Sequence, residues 1–157
     1  MDKGIYCLVV KNPVCTVEVG ALGPVSFAAG WHGYIGSALG PGGLVRLERH
    51  LRLAEHQDKR PKWHIDYLLS DLRFSVAYAM SAPTAERLEC RLAALLAQGG
   101  TGVDRFGCSD CDCPSHLLHW RRDPKKEIIA AFTSLGLTPG TRICSTGKKS
   151  AATEKTG

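Results

Sequence analysis

Hydrophobic and polar positions divide the chain into recognisable elements. GIYCLVV (Gly4 to Val10) is apolar on both of the faces a strand would present, which predicts a central strand covered on each side. Pro13 ends it. CTVEVGALGPVSF (Cys15 to Phe27) places β-branched residues on either side of Gly-Ala-Leu-Gly-Pro, which predicts a hairpin. WHGYIGSA (Trp31 to Ala38) reads as the next strand, and GPGG then breaks the chain. From Leu44 to His56 the pattern changes period. Leu44, Leu47, Leu51 and Ala54 recur at the spacing of one helical stripe. WHIDYLLSDL (Trp63 to Leu72) predicts a short helix after Pro61, and RFSVAYAM (Arg73 to Met80) alternates as a strand. Ser81 and Pro83 predict the opening of a third helix that runs to Gln98, with Gly99 and Gly100 as its stop. FGCSDCDCPSHLLHW (Phe106 to Trp120) is irregular and ends as a strand, and DPKKEIIAAFTSLG (Asp123 to Gly136) predicts a last helix. No segment repeats another. Strands and helices mix without a βαβ rhythm, so the expected class is α+β: a small antiparallel sheet of three core strands plus an inserted hairpin, flanked by helices.

Composition narrows the picture. The chain has 157 residues, 44% of them hydrophobic and 22% charged, which suits one globular domain with a single core. The expected organisation is a domain over residues 1–120, a helical extension over 121–144 and a disordered polar tail over 145–157. No apolar run approaches the roughly 18 residues of a membrane span. The charged start MDKGIY leads straight into a strand rather than a leader, so a cytoplasmic protein without a membrane partner is expected. The net charge of +5 favours polyanionic partners, nucleic acid among them.

Several side chains could act on such a partner. On the helix after the glycines, Arg46 and His50 lie four apart and border the apolar stripe, while Arg49 and Arg52 point away. Glu89 flanks the stripe of the third helix. Tyr6 and Tyr34 come from two strands, and Gly36 shares a face with Tyr34, leaving room for a backbone or ligand beside the phenol. Arginine's planar fork matches phosphate oxygens, and a carboxylate with substrate oxygens is the usual seat of Mg²⁺ or Mn²⁺. Gly36, Arg49, Lys62 and His64 are further candidates for phosphate or DNA contact. His64 and Asp66, two apart, cannot share a helical face; each can bond a neighbouring loop or orient another group.

Gly4-Ile5-Tyr6 and Tyr34-Ile35-Gly36 resemble the two tripeptides that give the GIY-YIG nuclease superfamily its name. Arg46-Leu47-Glu48-Arg49-His50 resembles the Arg-xxx-His of its first helix, and Leu88-Glu89 resembles its metal-binding glutamate. The VEVGALGPVSF insertion, the YIGSALGPGG turn, WHIDYLL and CSDCDCPSHL are similar to an uncharacterised branch, found as a small stand-alone protein and sometimes fused to endonuclease III. The resemblance spans Met1 to Trp120. It implies metal-dependent hydrolysis of one DNA strand, linked to repair, with a glycosylase of endonuclease III type as a possible partner; a domain this small has few means of selecting a long sequence, so structure-directed cleavage is expected. It implies that Tyr6 or Tyr34 activates water, that Arg46 steadies phosphate charge, that Glu89 holds Mg²⁺ or Mn²⁺, and that His50 supports the site. The chain departs from the pattern in three places. Its tripeptides stand further apart, its loop before Arg46 is longer, and its single asparagine, Asn12, is nowhere near the position after the glutamate where typical members carry one. A non-catalytic DNA-binding module of the same fold is the alternative.

The third reading centres on cysteine. Of seven cysteines, Cys108, Cys111 and Cys113 crowd together with His116 and His119. Thiolates and imidazoles this dense suit zinc, and Cys108, Cys111, Cys113 and His116 would form a tight set. The Cys-x-Cys step is unusual for structural zinc, so a redox or buried thiol cluster and a purely structural loop stay open beside it. The loop follows the Glu89 helix, so it is expected near the same site.

Overall fold

In a computed structural model of the chain, the described residues are 2–57, 60–107 and 113–143. They form an α+β fold around a six-stranded antiparallel sheet. Strand β1 (Gly4–Asn12) is central, as its unbroken apolar run requires. The inserted hairpin follows as β2 (Cys15–Glu18) and β3 (Pro24–Phe27), a separate two-stranded sheet joined by one 3-10 turn. Then come β4 (Gly30–Ala38), helix α1 (Val45–His56), helix α2 (His64–Leu69) and β5 (Ser75–Pro83). Helix α3 (Glu89–Leu96), β6 (Thr101–Gly102), β7 (Leu117–Trp120), helix α4 (Lys125–Ser134) and β8 (Gly140–Ile143) complete the chain. The strand order is β6-β7-β4-β1-β5-β8.

The period-2 alternation of β1 divides the core into two. Tyr6, Leu8 and Val10 pack with Leu47, Ile65, Phe74 and Phe106 on the side of α1, α2 and the hairpin. Ile5, Cys7 and Val9 pack with Ile35, Met80, Leu92, Ile128 and Phe132 on the side of α3 and α4. All six β1 side chains are buried. At about 1.5–3 kcal/mol for each large aliphatic or aromatic side chain withdrawn from water, this strand is the main hydrophobic anchor of both layers.

The third helix begins later than its sequence signals predict. Ser81, Ala82 and Pro83 continue β5, with Pro83 opposite Gly4, and α3 starts only at Glu89. The alternation Val76, Tyr78, Met80, Ala82, buried throughout, extends the strand through the apparent helix start. Pro83 is tolerated because Thr84, not Pro83, donates to β1 at the Lys3 carbonyl, and β8 pairs with β5 only as far as Ser81, so no ladder N–H is missing at Pro83. The helix also stops at Leu96 rather than at Gln98. The strand expected at the end of the Phe106–Trp120 segment, β7, joins the sheet beside β4, and the sheet also gains β6 and β8, which were not expected.

Both tripeptide glycines are explained by close approach. A Cβ at Gly4 would lie 2.6 Å from the Ala82 carbonyl oxygen and 2.9 Å from Leu44 Cδ1. A Cβ at Gly36 would lie 2.4 Å from the Tyr6 hydroxyl oxygen. Gly36 is opposite Tyr6 in the β1–β4 register, and the tyrosine ring lies across it. The space predicted beside Tyr34 for a ligand is therefore filled by the ring of Tyr6.

Candidate active site

A hollow of about 280 Å³ opens at the sheet end where β4 runs out toward α1. Tyr6, Tyr34, Gly36, Arg46, His50 and Glu89 all line it, together with Ser37, Lys62, Trp63, His64, Gly107 and His116. Arg46 and Glu89 come from helices packed on opposite faces of the sheet, so they could have opened onto opposite surfaces. They converge because both grasp one residue at the sheet end. Arg46 Nη1 donates to the Ser37 carbonyl at 3.0 Å, and Ser37 Oγ donates to Glu89 Oε2 at 2.8 Å.

Glu89 is the first residue of α3, where a carboxylate is favoured by the helix dipole. Its Oε2 is used by Ser37. Its Oε1 is buried and has no hydrogen-bond partner among the described residues. An unsatisfied buried carboxylate oxygen is costly, and a hard divalent cation would relieve it. The donor set thus fits Mg²⁺ or Mn²⁺.

Tyr6 and His50 form a buried pair. The Tyr6 hydroxyl lies 2.9 Å from His50 Nε2, and His50 Nδ1 faces Asp66 Oδ1 at 3.8 Å. Burial lowers the His50 pKa to about 4, against an opposing pull from Asp66, so the ring is neutral at pH 7. The Asp66 carboxylate favours the proton on Nδ1. Nε2 is then the acceptor, and the phenol donates to it. Burial, with the phenol of Tyr34 next and Asp66 as a smaller cause, pushes the Tyr6 pKa far above its usual value. Tyr6 therefore stays protonated. Tyr34 is half-buried and stands edge-on to His50, with ring centroids 6.2 Å apart.

Asp66 joins α2 to this pair. Its Oδ2 accepts the backbone N–H groups of Lys62 and Trp63 at 2.8 and 2.9 Å, capping the start of α2. Trp63 then presents its ring to two cations, the Arg46 guanidinium at 5.1 Å and the Lys62 ammonium at 5.2 Å. His64 Nδ1 accepts the Gly107 N–H at 2.8 Å, which leaves the ring proton of neutral His64 on Nε2. Burial lowers its pKa. His64 and Asp66 thus serve separate partners, as their spacing requires.

Arg49 does not reach the hollow. It lines an adjoining groove with Arg52, Arg60 and Lys62, which shares His50, Lys62 and Trp63 with the hollow. Asn12 lies elsewhere. Its side chain bonds His32 Nδ1 at 2.8 Å and the carbonyls of Pro13 and Ala28, six residues along β1 from Tyr6, a distance of about 20 Å at the usual strand rise.

The cysteine loop resolves differently from its sequence reading. Cys108 and Cys111 lie outside the described residues. Cys113 and His116 come together, with Sγ and Nε2 2.8 Å apart, and their companion is Cys90 of α3, whose Sγ lies 2.9 Å from that of Cys113. His119 is not part of this group: it is on β7, bonded to the Ala29 carbonyl, with its ring tilted against that of His32. Cys90 is not legible as a site residue in the sequence, because its loop partners follow more than twenty residues later. The only signal was its place beside Glu89.

An α+β domain with a cationic and phenolic hollow and a single waiting carboxylate oxygen is the class that fold and site define. The family model described as "Domain of unknown function DUF123" matches residues 5–137, and the chain belongs to that family. Searches of curated proteins and of solved structures find no match. No helix among the described residues is long and apolar enough to cross a membrane.

Proposed function

We propose that the protein is a divalent-metal-dependent endonuclease of GIY-YIG type that hydrolyses a DNA phosphodiester. One observation carries this reading: Tyr6, Tyr34, Arg46, His50 and Glu89 line a single hollow, and Arg46 and Glu89 are both tied to Ser37. Bound at Glu89 Oε1, Mg²⁺ or Mn²⁺ would supply Lewis-acid stabilisation of charge on the phosphate and leaving oxygen. Ser37 occupies Oε2, which leaves Oε1 for the ion. Arg46, fixed by the Ser37 carbonyl and the Trp63 ring, offers its remaining N–H groups to the phosphate, whose charge grows in the transition state.

The proton of the attacking water leaves through the buried pair. Tyr6 is too buried to act as a phenolate. It takes the proton on its hydroxyl oxygen while passing its own to neutral His50 Nε2, and Asp66 steadies the imidazolium that results. Tyr34, at the rim, orients the water. Lys62 and His64 extend the contact to neighbouring phosphates. DNA structure rather than sequence guides cleavage, because the described residues of the hollow offer groups for phosphate and none that reads a groove.

The position of Asn12, far from the hollow and spent on His32, favours a second reading: a DNA-binding module without cleavage. Incubation with nicked, flapped and plain duplex DNA in Mg²⁺ or Mn²⁺ separates the two. Cleavage by the native protein, lost at least about 100-fold in both Arg46→Ala and Glu89→Ala, is expected. Salt-sensitive binding with no cleavage would support the module, and neither binding nor cleavage would end both readings.

A further inference from the structure

We propose that Cys90, Cys113 and His116 hold a zinc ion that fixes the first turn of α3, and with it Glu89, against the wall of the hollow. Their donor atoms all lie within 4.8 Å of one another. Cys90 Sγ is 2.9 Å from Cys113 Sγ and 3.7 Å from His116 Nε2, and the Cys113–His116 separation is 2.8 Å. Two thiols and an imidazole this close are the donor types of a zinc site, and an ion with Zn–S near about 2.3 Å and Zn–N near about 2.0 Å would spread them to about 3.5–3.8 Å apart. Soft thiolates select zinc over the Mg²⁺ or Mn²⁺ that suits Glu89. A disulfide is the rival account of the two sulfurs. It would bring them to about 2.05 Å and would leave the imidazole with no part in the arrangement.

The three ligands come from two segments distant in sequence, with Cys113 and His116 together just before β7. Cys90 is the second residue of α3. His116 is pinned by its backbone: its N–H donates to the Phe106 carbonyl and its carbonyl accepts the Ile35 N–H, both within 2.9 Å. The ion would therefore link the helix to β4 through His116. Glu89 immediately precedes Cys90, and His116 itself lines the hollow. Binding requires both thiols to give up their protons, so affinity falls as pH falls. The sequence carries two further thiols, Cys108 and Cys111, five and two residues before Cys113.

The test measures metal directly and does not depend on nuclease activity. Full-length protein purified without added zinc is analysed by elemental mass spectrometry. About one zinc per chain is expected, falling at least about tenfold in Cys90→Ser and in Cys113→Ser and kept in Cys7→Ser. Co²⁺ exchanged into the native protein should give a sulfur-to-metal charge-transfer band that Cys90→Ser lacks. Chelation of the native protein should lower Tm by more than about 5 °C, which keeps the test alive should a variant fail to fold. Zinc below a tenth of an equivalent with none taken up on titration overturns the proposal, as does zinc that persists in both serine variants. A Cys90–Cys113 disulfide found by mass spectrometry in protein kept under argon also overturns it. Zinc without DNA cleavage would leave this proposal standing and remove the nuclease; cleavage without zinc would do the reverse.

Discussion

At the scale of single residues, Tyr6 and Gly36 are one device. The ring crosses the glycine so that the hydroxyl meets His50, and a methyl group at Gly36 has no room. Gly36→Ala should destabilise the fold by about 1–3 kcal/mol, read from urea denaturation, because the buried ring cannot step aside without strain. A cost indistinguishable from zero would show that the ring has slack. Tyr6→Phe keeps the shape and removes the hydroxyl. It leaves His50 Nε2 buried without its donor, at a cost of about 1–3 kcal/mol, and on the proposed relay it should remove cleavage while leaving DNA affinity unchanged. His50 also sets a pH dependence. Its folded pKa, about 4, lies below the ordinary value of 6.5, so the unfolded chain binds the proton more readily. Stability contributed by neutral His50 is complete above pH 6.5 and declines as pH falls toward 4. His32, also lowered to about 4 by burial and by His119, adds a slope of the same sign. Urea midpoints should fall between pH 7 and pH 4.5, and His50→Gln should flatten part of the decline.

At the scale of elements, periodicity was a dependable guide where it was long. The doubly buried β1, the hairpin, the strand around Tyr34 and the amphipathic α1 all follow from side-chain spacing, and their limits differ from expectation by a residue or two. The start of α3 was not legible, because Ala-Pro-Thr-Ala-Glu has the composition of a helix opening while the pairing of Gly4 with Pro83 extends the strand. The edge strand β6 has only two residues and β8 is exposed along its whole length, so neither left a hydrophobic pattern. In the site, Arg46, His50 and Glu89 could be named from spacing and resemblance. Ser37, Asp66 as the partner of His50, and Cys90 could not, since each acts through a contact between elements distant in sequence. Asp66 shows what such a contact is worth. It caps α2 through two N–H groups and faces a buried ring. Asp66→Ala should cost about 1–3 kcal/mol by thermal or urea unfolding, from the lost cap and the orphaned donors. A neutral outcome would mean that α2 is held by Ile65, Leu68 and Leu69 alone.

For the molecule as a whole, the distribution of charge matters more than its net value. A charge of +5 is modest, and as a total it does not say where a polyanion would lie. The exposed Arg49, Arg52, Arg60 and Lys62 are gathered along the groove that leaves the hollow beside Trp63. A duplex whose scissile phosphate sat at Arg46 would run its neighbouring phosphates along that groove. Each phosphate neutralised releases counterions, so the slope of log affinity against log salt counts the contacts. Arg49→Ala and Arg60→Ala should each reduce that slope by about 1, measured by fluorescence anisotropy on a plain duplex over a KCl series. Cleavage at saturating DNA should be unchanged, because neither residue lines the hollow. Arg46→Ala should lose cleavage as well, which sets it apart from the groove variants. If the groove variants bind like the native protein at every salt concentration, the groove is not part of the proposed DNA contact.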